Sequence, residues 1–261
     1  MKALVERLRK PDARITVLTG AGVSAASGVP TFRGADGLWR NFRPETLATA
    51  EAFGRDPKLV WEWYAWRRFR IAACEPNAAH RVLAEWTTRF PNFKLITQNV
   101  DGLHESAFAA MASASAKASA RQAGDPSGVI RLHGSIWDVR CWQGCANSPK
   151  SWRDERLSFD DLPPRCPHCQ GPIRPGVVWF GETLDPAVVN QASTAADCDV
   201  FITIGTSAVV YPAAGFITAA KKNGAFTVEI NPEATPATAI VDLALTGSAE
   251  MMLPLIDQSI G

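Results

Sequence analysis

The glycine-rich stretch GAGVSAASGVPTFR at residues 20–33 constrains the fold more than any other part of the sequence. It follows residues 14–20, an apolar run typical of a buried parallel strand, and its start matches the pattern G-x-G-x-x-[GA]. Glycines there allow a tight turn with close backbone approach, and a helix predicted to begin within residues 23–27 attracts a pyrophosphate to its N-terminus. The stretch therefore indicates a nucleotide-binding α/β unit.

The segment after this turn does not continue as it would in a hydride-transferring dehydrogenase. Such an enzyme needs a second strand that ends in Asp or Glu about 20 residues further on. Residues 41–45 read Asn-Phe-Arg-Pro-Glu, and no strand is predicted there. Residues 30–44 are instead a polar loop that contains Arg33, a natural pyrophosphate partner. An ordinary loop salt bridge is the other interpretation of Arg33, and a dehydrogenase is disfavoured.

Apolar strands alternate with helices along the rest of the chain, which predicts a parallel sheet wound on both faces, an α/β Rossmann-like fold. The further predicted strands cover residues 93–98, 129–133, 176–180, 199–205, 225–230 and 241–245. The predicted helices cover residues 56–74, 77–90, 212–223 and 248–257. Residues 108–120 are mostly Ala and Ser, and either a helical extension or a mobile surface insertion fits that composition.

Composition narrows the partners and the compartment. Lys and Arg total 27 against 26 Asp and Glu, so there is no electrostatic argument for nucleic acid or for an anionic membrane. The first ten residues lack the apolar core of a secretory signal, and no apolar run is long enough to span a bilayer. Cytoplasmic residence is therefore the default expectation, and paired cysteines in that compartment suggest a metal before a disulfide.

Two cysteine pairs have the spacing of a closed metal site. The spacing is Cys-x3-Cys in the first pair and Cys-x2-Cys in the second, and the ligands would be Cys141, Cys145, Cys166 and Cys169. Four thiolates from two such turns hold one Zn²⁺ tetrahedrally with no open position, so the ion would be structural.

Polar groups follow four of the predicted strands. Because ligands bind at the carboxyl edge of open parallel sheets, these groups should converge on one crevice. A histidine at that edge can act as a general base near neutral pH. Each group taken alone could also have a purely structural role, as a turn former or a structural histidine. The segments are Gln98-Asn-Val-Asp101, His133-Gly-Ser135, Gly205-Thr-Ser207 and Asn231-Pro-Glu233.

Taken in order, GAGVSAASGVPTFR, TQNVDGLH, LHGS, the four cysteines, VVWFGE, IGTSAVVYPAAGF and EINP resemble the sirtuin family of NAD-dependent protein lysine deacylases. The matching pieces run from residue 20 to about residue 231. The forms VVWFGE and YPAAGF look closest to the bacterial and mitochondrial-type group that removes acidic acyl groups.

The resemblance implies that NAD is consumed rather than reduced, giving nicotinamide, O-acyl-ADP-ribose and free lysine. His133 would be the base that activates a ribose hydroxyl. Residues 178–182 would pair with the backbone of the acylated substrate through Val178, Phe180, Gly181 and Glu182. The residues that the resemblance assigns to NAD are Gly20, Ala21, Gly22, Arg33, Gln98, Asn99, Asp101, Gly205, Ser207, Asn231 and Ala249.

Acyl specificity is expected to depend on Tyr64 and Arg67, which lie three residues apart on one face of a predicted helix. Arginine can hold a carboxylate with two parallel hydrogen bonds, and a tyrosine hydroxyl can add a third. The sirtuins that remove succinyl, malonyl and glutaryl groups carry this Tyr-x-x-Arg. An ordinary amphipathic helix surface is the alternative interpretation of the pair. A plain deacetylase, a protein mono-ADP-ribosyltransferase and a zinc-containing NAD sensor remain the alternative functions.

Two domains are expected in a chain that acts as a monomer on acylated proteins or peptides. The NAD-binding domain would comprise residues 1–40, 91–135 and 175–261. The small domain would combine a helical module, residues 41–90, with a zinc-binding module, residues 136–174. Acyl-lysine would enter the cleft between them.

Overall fold

The structure is a computed structural model, and it describes residues 1–31, 43–114 and 128–261. The strands of the described residues are β1 (Ile15–Thr19), β2 (Phe93–Thr97), β3 (Val129–Arg131), β4 (Gly134–Cys141), β5 (Trp152–Arg153), β6 (Ile173–Val177), β7 (Val200–Ile204), β8 (Phe226–Asn231) and β9 (Leu243–Thr246).

The helices of the same ranges are α1 (Lys2–Leu8), α2 (Pro44–Leu47), α3 (Ala50–Arg55), α4 (Pro57–Ala72), α5 (Ala78–Arg89), α6 (Leu103–Ala114), α7 (Pro186–Ala195), α8 (Ala213–Lys222) and α9 (Ala249–Ile260). A 3₁₀ helix covers Ala21–Ser27. None of these described helices has both the length and the apolar character that crossing a bilayer requires.

A six-stranded parallel sheet forms the larger layer, in the order β3-β2-β1-β7-β8-β9. Strand β1 lies in the middle and all five of its residues are buried, because helices cover both faces. One face packs against α1, α5, α6 and α9, and the other against α7 and α8. The predicted doubly wound fold is confirmed. The strand order reverses between β1 and β7, which creates a crevice at their carboxyl ends.

A second, three-stranded antiparallel sheet with the order β5-β4-β6 forms a smaller layer. It packs with α2, α3 and α4 around a separate hydrophobic cluster that includes Trp61 and Trp179. From the sequence, residues 176–180 were expected to be a strand of the main set. The strand instead covers Ile173–Val177 and pairs with β4, where a Cβ on Gly134 would lie 2.2 Å from the carbonyl oxygen of Gly176.

Several elements differ from the sequence predictions. The turn after β1 continues as a 3₁₀ helix, not an α-helix, and ends at Gly28 with a φ of 90°. Helices α1, α2, α3 and α7 were not predicted, although Asp185 caps the start of α7 and Pro186 is its first residue. Helix α5 packs against α6 and α9, so it belongs by packing with the parallel sheet, whereas the expected domain boundaries assign it to the helical module.

Candidate active site

The glycine turn touches the loop after β7 at the point where the strand order reverses. The backbone N–H of Gly22 donates to the carbonyl oxygen of Gly205 at 2.8 Å. A Cβ on Gly22 would lie 2.7 Å from the Cα of Gly205, and a Cβ on Gly205 would lie 2.5 Å from the backbone nitrogen of Val23. Gly205 also has a φ of +60°, so both positions exclude a side chain. Glycine therefore lets the two loops form one floor.

A cavity of about 1260 Å³ opens above this floor, at the carboxyl edge of the parallel sheet. It extends from the glycine turn past His133 to α4. Among the predicted NAD-site residues that the structure describes, Asp101 is the one that does not line the cavity, and its side chain is buried. Arg33 lies outside the described residues. The predicted residues that do line it are Gly20, Ala21, Gly22, Tyr64, Arg67, Gln98, Asn99, His133, Val178, Phe180, Gly181, Glu182, Gly205, Ser207, Asn231 and Ala249.

His133 lies near the middle of the cavity with one ring nitrogen fixed. Its Nδ1 is 2.9 Å from the carbonyl oxygen of Gln98, and because a carbonyl can only accept, Nδ1 carries the proton. The lone pair is then on Nε2. Burial lowers the pKa of His133, and the hydrogen bond to Gln98 offsets part of that effect. The imidazole is therefore neutral near pH 7 and able to accept a proton.

The buried carboxylate of Asp101 is hydrogen-bonded to neighbouring residues. Its carboxylate accepts hydrogen bonds from the Ser24 hydroxyl at 2.8 Å and from the Leu103 backbone at 2.9 Å. The Ser24 oxygen in turn accepts from the Asn99 side-chain amide at 3.1 Å. Burial raises the pKa of Asp101, although these hydrogen bonds oppose the rise. The network fixes the Asn99 amide at the cavity wall, and a direct contact of Asp101 with NAD stays a prediction.

Two further histidines support this network from beneath. His80 Nδ1 accepts from the Asn77 backbone, so Nε2 carries the proton and faces the Ser24 hydroxyl at 3.3 Å. The ring of His104 packs on that of His80 at a centroid distance of 4.8 Å, and its Nε2 lies 3.0 Å from the hydroxyl of Thr19. Burial lowers the pKa of His80 to about 4 and holds the pKa of His104 well below its ordinary value. Both rings are therefore neutral at physiological pH.

Gln98 and Asn231 hold the loop after β7. The Gln98 amide donates to the Thr206 hydroxyl at 2.8 Å, and the Asn231 amide donates to the Thr206 carbonyl oxygen at 3.0 Å. Thr206 lies between the predicted residues Gly205 and Ser207. Three strand ends are thus tied together through one residue, which gives the cavity a fixed wall.

Aromatic side chains and the guanidinium of Arg67 line the cavity beside α4. Tyr64 and Arg67 on α4 are 2% and 7% exposed, so neither belongs to a solvated helix surface. The guanidinium of Arg67 lies 4.8 Å from the ring centroid of Trp63 and 5.6 Å from that of Tyr64. Burial lowers the pKa of Arg67, although a guanidinium stays charged in proteins. The Tyr64 hydroxyl oxygen accepts from the Trp179 indole N–H at 2.9 Å.

The segment after β6 is anchored to its surroundings. Backbone N–H groups of Val178 and Phe180 donate to the carbonyl oxygens of His133 and Ala48, each at 2.9 Å. The Glu182 carboxylate forms a bidentate pair with Arg174 and also accepts the Trp179 backbone N–H at 2.8 Å.

The four predicted zinc ligands come together in the small sheet region. Their Sγ atoms all lie within 4.8 Å of one another, with Cys141–Cys169 at 3.6 Å and Cys145–Cys166 at 3.9 Å. A tetrahedral site with Zn–S bonds of about 2.3 Å places its sulfurs roughly 3.8 Å apart. The cysteines therefore fit one Zn²⁺ with all four positions filled by protein, as a structural ion requires.

Comparison with known proteins agrees with this geometry. A family model described as the Sir2 family matches residues 20–115 and 117–212. The chain is 50% identical over 230 residues to an NAD-dependent protein deacylase of Aquifex aeolicus (strain VF5), covering 88% of this chain and 87% of the relative. The chain belongs to the Sir2 family. A mutant Sir2 homologue in complex with ADP-ribose matches with a TM-score of 0.86 and 40% identity, over 100% of this chain and 96% of the other. A Sir2 homologue–NAD complex matches with a TM-score of 0.82 and 40% identity, over 100% and 95%.

Several residues that shape this Sir2 site were not singled out from the sequence: Ser24, His80, His104, Thr206 and Trp179. All of them except His80 lie inside the quoted family segments, so a signal existed for four of the five. His80 lies three residues after its helix cap, Asn77, and belonged to no quoted segment. The contact of Trp179 with Tyr64 joins residues that are far apart in sequence, which no local pattern reports.

Proposed function

We propose that this Sir2 chain removes acyl groups from lysine side chains of proteins with NAD as co-substrate, and that it prefers acyl groups ending in a carboxylate. The names of its relatives support the first part. A single cavity carries the whole proposal, because it brings the base His133 into the same space as Tyr64 and Arg67.

His133 has the features of the base. Its Nε2 accepts a proton from a ribose hydroxyl of the co-substrate, while Nδ1 keeps its hydrogen bond to the Gln98 carbonyl and fixes the ring. NAD supplies the sugar that takes the acyl group and nicotinamide as the leaving group, and one water molecule is consumed when the lysine amine is released. The products are nicotinamide, O-acyl-ADP-ribose and free lysine. The same hydrogen bond stabilises the imidazolium that forms when His133 takes the proton.

The glycine floor and the 3₁₀ helix that begins at Ala21 form the nucleotide side of the cavity. The N-terminal end of this helix carries the positive end of its backbone dipole, which suits a pyrophosphate, although the Gly22 N–H itself is already bonded to the Gly205 carbonyl oxygen. Gly20 and Gly22 also leave no side chain in the way. Asn99, fixed by Ser24 and Asp101, presents an amide to the part of the co-substrate that lies next to His133.

The acyl end of the cavity selects by charge. Arg67 offers only hydrogen-bond donors and a positive charge, in a place from which water is largely excluded. A terminal carboxylate supplies acceptors and the opposite charge at the end of the acyl chain, whereas an acetyl group ends there in a methyl that supplies neither. Removal of Arg67 should therefore lower kcat/KM for substrates with an acidic acyl group by about 100-fold, because two charge-assisted hydrogen bonds to the carboxylate are lost.

Competition between succinyl-lysine and acetyl-lysine peptides in the presence of NAD, followed by mass spectrometry, tests the proposal. Wild type should consume the succinyl peptide first, and Arg67→Met should reduce succinyl turnover far more than acetyl turnover. Arg70→Met is the matched control, because Arg70 lies on the same helix and is exposed. Equal losses on both peptides would contradict the acyl preference and leave a plain deacetylase. No nicotinamide release from either peptide would contradict deacylation itself.

A further inference from the structure

The Tyr64 hydroxyl is oriented by a residue from another part of the chain. Its partner is the indole Nε1 of Trp179, 2.9 Å away. An indole N–H can only donate, so the direction of this hydrogen bond is fixed and the phenol oxygen accepts. Within the residues that the structure describes, the hydroxyl proton of Tyr64 is not donated to any acceptor. The hydroxyl is therefore left as a donor.

Trp179 itself is held on several sides, so its indole N–H has a defined direction. The side chain is 2% exposed. The guanidinium of Arg174 lies 3.4 Å from its ring centroid, and the backbone N–H of Trp179 is bound by the carboxylate of Glu182. Glu182 and Arg174 are also joined to each other by their bidentate pair. The ring of Phe53 packs on the indole at a centroid distance of 5.4 Å.

Trp179, Tyr64 and Arg67 line the same cavity. The polar groups that Tyr64 and Arg67 offer there are all donors, once the phenol oxygen is occupied by the indole. Such a set suits a ligand that only accepts, and an ionised carboxylate is that ligand. If the indole N–H were absent, the hydroxyl could rotate and present its lone pairs, which repel a carboxylate.

We propose that Trp179 is a positioning residue for acidic acyl groups: its indole N–H occupies the Tyr64 oxygen and so turns the Tyr64 hydroxyl proton towards the acyl carboxylate. The inference rests on the proposed function, since it concerns the acyl end of the same cavity. Burial raises the pKa of Tyr64, which keeps the proton on the hydroxyl across the working pH range. Arg174 and Glu182 hold Trp179 in place through their contacts with its ring and its backbone N–H.

The kinetic test compares the ratio of kcat/KM for succinyl-lysine to kcat/KM for acetyl-lysine among four variants. Trp179→Phe removes the N–H and keeps an aromatic ring for packing. Tyr64→Phe removes the hydroxyl, and the double variant closes a cycle. Trp142→Phe is the matched control, because that indole lies in the same aromatic cluster, 6.4 Å from Trp179 between ring centroids.

We expect Trp179→Phe to lower the ratio about tenfold, mainly through KM for the succinyl peptide, as loss of a hydrogen bond to a charged group does. Tyr64→Phe should lower the ratio by a similar factor, and the double variant should lower it no further. Trp142→Phe should keep the wild-type ratio. The inference is overturned if Trp179→Phe keeps the ratio, if the two effects multiply, or if Trp142→Phe has the same effect.

A spectroscopic readout separates this inference from the proposed function. The chain has nine tryptophans, so ¹⁵N-tryptophan labelling gives a spectrum simple enough to assign. The indole peak that disappears in Trp179→Phe should shift in Tyr64→Phe, and an unmoved peak would overturn the inference whatever the activity. A wild type without preference for the succinyl peptide contradicts the proposed function. A preference that survives intact in Trp179→Phe contradicts only the inference.

Discussion

The buried ion pair between Arg68 and Asp154 gives a sharp prediction about what joins the helical and zinc-binding parts of the small layer. Arg68 is on α4 and fully buried, and its Nη1 lies 3.3 Å from Asp154 Oδ1, beyond β5. Its Nε also donates to the carbonyl oxygen of Ile136 on β4 at 2.8 Å. The perturbation is Asp154→Asn, which keeps the shape of the side chain and removes its charge.

The magnitude follows from burial. The side chains of Arg68 and Asp154 are 0% and 5% exposed, so water cannot replace the lost carboxylate. Breaking a buried pair from one side costs about 3–5 kcal/mol, because the remaining charge stays buried without compensation. Domains are stable by only about 5–15 kcal/mol in total, so the variant should lose a large share of its free energy of unfolding.

The assay is urea unfolding, followed by tryptophan fluorescence and by zinc release to a coloured chelator. Glu62→Gln is the control on the same helix, because Glu62 forms an exposed pair with Lys58 at 3.8 Å. That control should change the free energy of unfolding by less than about 0.5 kcal/mol. Asp154→Asn should release zinc at much lower urea than wild type.

A pH series adds a second constraint. Burial raises the pKa of Asp154, but hydrogen bonds from Arg156 and attraction by Arg68 outweigh it, so the pKa lies below its usual value. A lowered carboxyl pKa stabilises the fold above the unfolded-state value of about 4 and loses that contribution as the pH falls through the lowered pKa. The gap between wild type and Asp154→Asn should therefore shrink in acid. A gap below 1 kcal/mol at neutral pH, or one that does not shrink, would refute the reasoning.

Two further predictions concern the metal and the base. A chelator strong enough to remove the ion from Cys141 and its three partner cysteines should release one zinc per chain and abolish activity. The circular dichroism spectrum should then show loss of structure in the small layer. Unchanged activity in the stripped protein would rule out a structural zinc. Burial lowers the pKa of His133, so kcat/KM should stay constant as the pH falls past about 6.5, the ordinary pKa of histidine. It should decrease only at lower pH, where the ring is protonated. A pH–rate profile with its acidic midpoint above 6.5 would contradict that burial effect.

The sequence predicted the carboxyl-edge crevice well, because parallel strands impose it. Once residues 14–20 and 199–205 are recognised as strands, the groups that follow them must lie at one edge, and Gly22 and Gly205 do meet there. The zinc ligands could be predicted equally well, since the spacing of Cys166 and Cys169 is a local sequence pattern. Both features depend on short-range patterns or on a rule of sheet topology.

Contacts between distant segments could not be predicted in the same way. Trp179 and Tyr64 are 115 residues apart in sequence, and Arg68 and Asp154 are 86 apart. Neither pair has a local signature, because indole, phenol and guanidinium groups serve equally well at a surface or in a core. The antiparallel strands of the small sheet were missed for a related reason: the bulge near Gly134 interrupts the regular pairing of β4 with β6.

Strands β4 and β6 connect the zinc site to the end of the cavity that contains Tyr64 and Trp179. Strand β4 ends at the ligand Cys141, whose backbone pairs with Ile173 at the start of β6. The loop that carries Trp179 begins where β6 ends, so the thiolate cluster fixes one end of the strand and the Tyr64 hydrogen bond depends on the other. If the acyl group binds at this end of the cavity as proposed, the closed metal site would act on the reaction only through the strands that lead to Trp179, without touching the substrate.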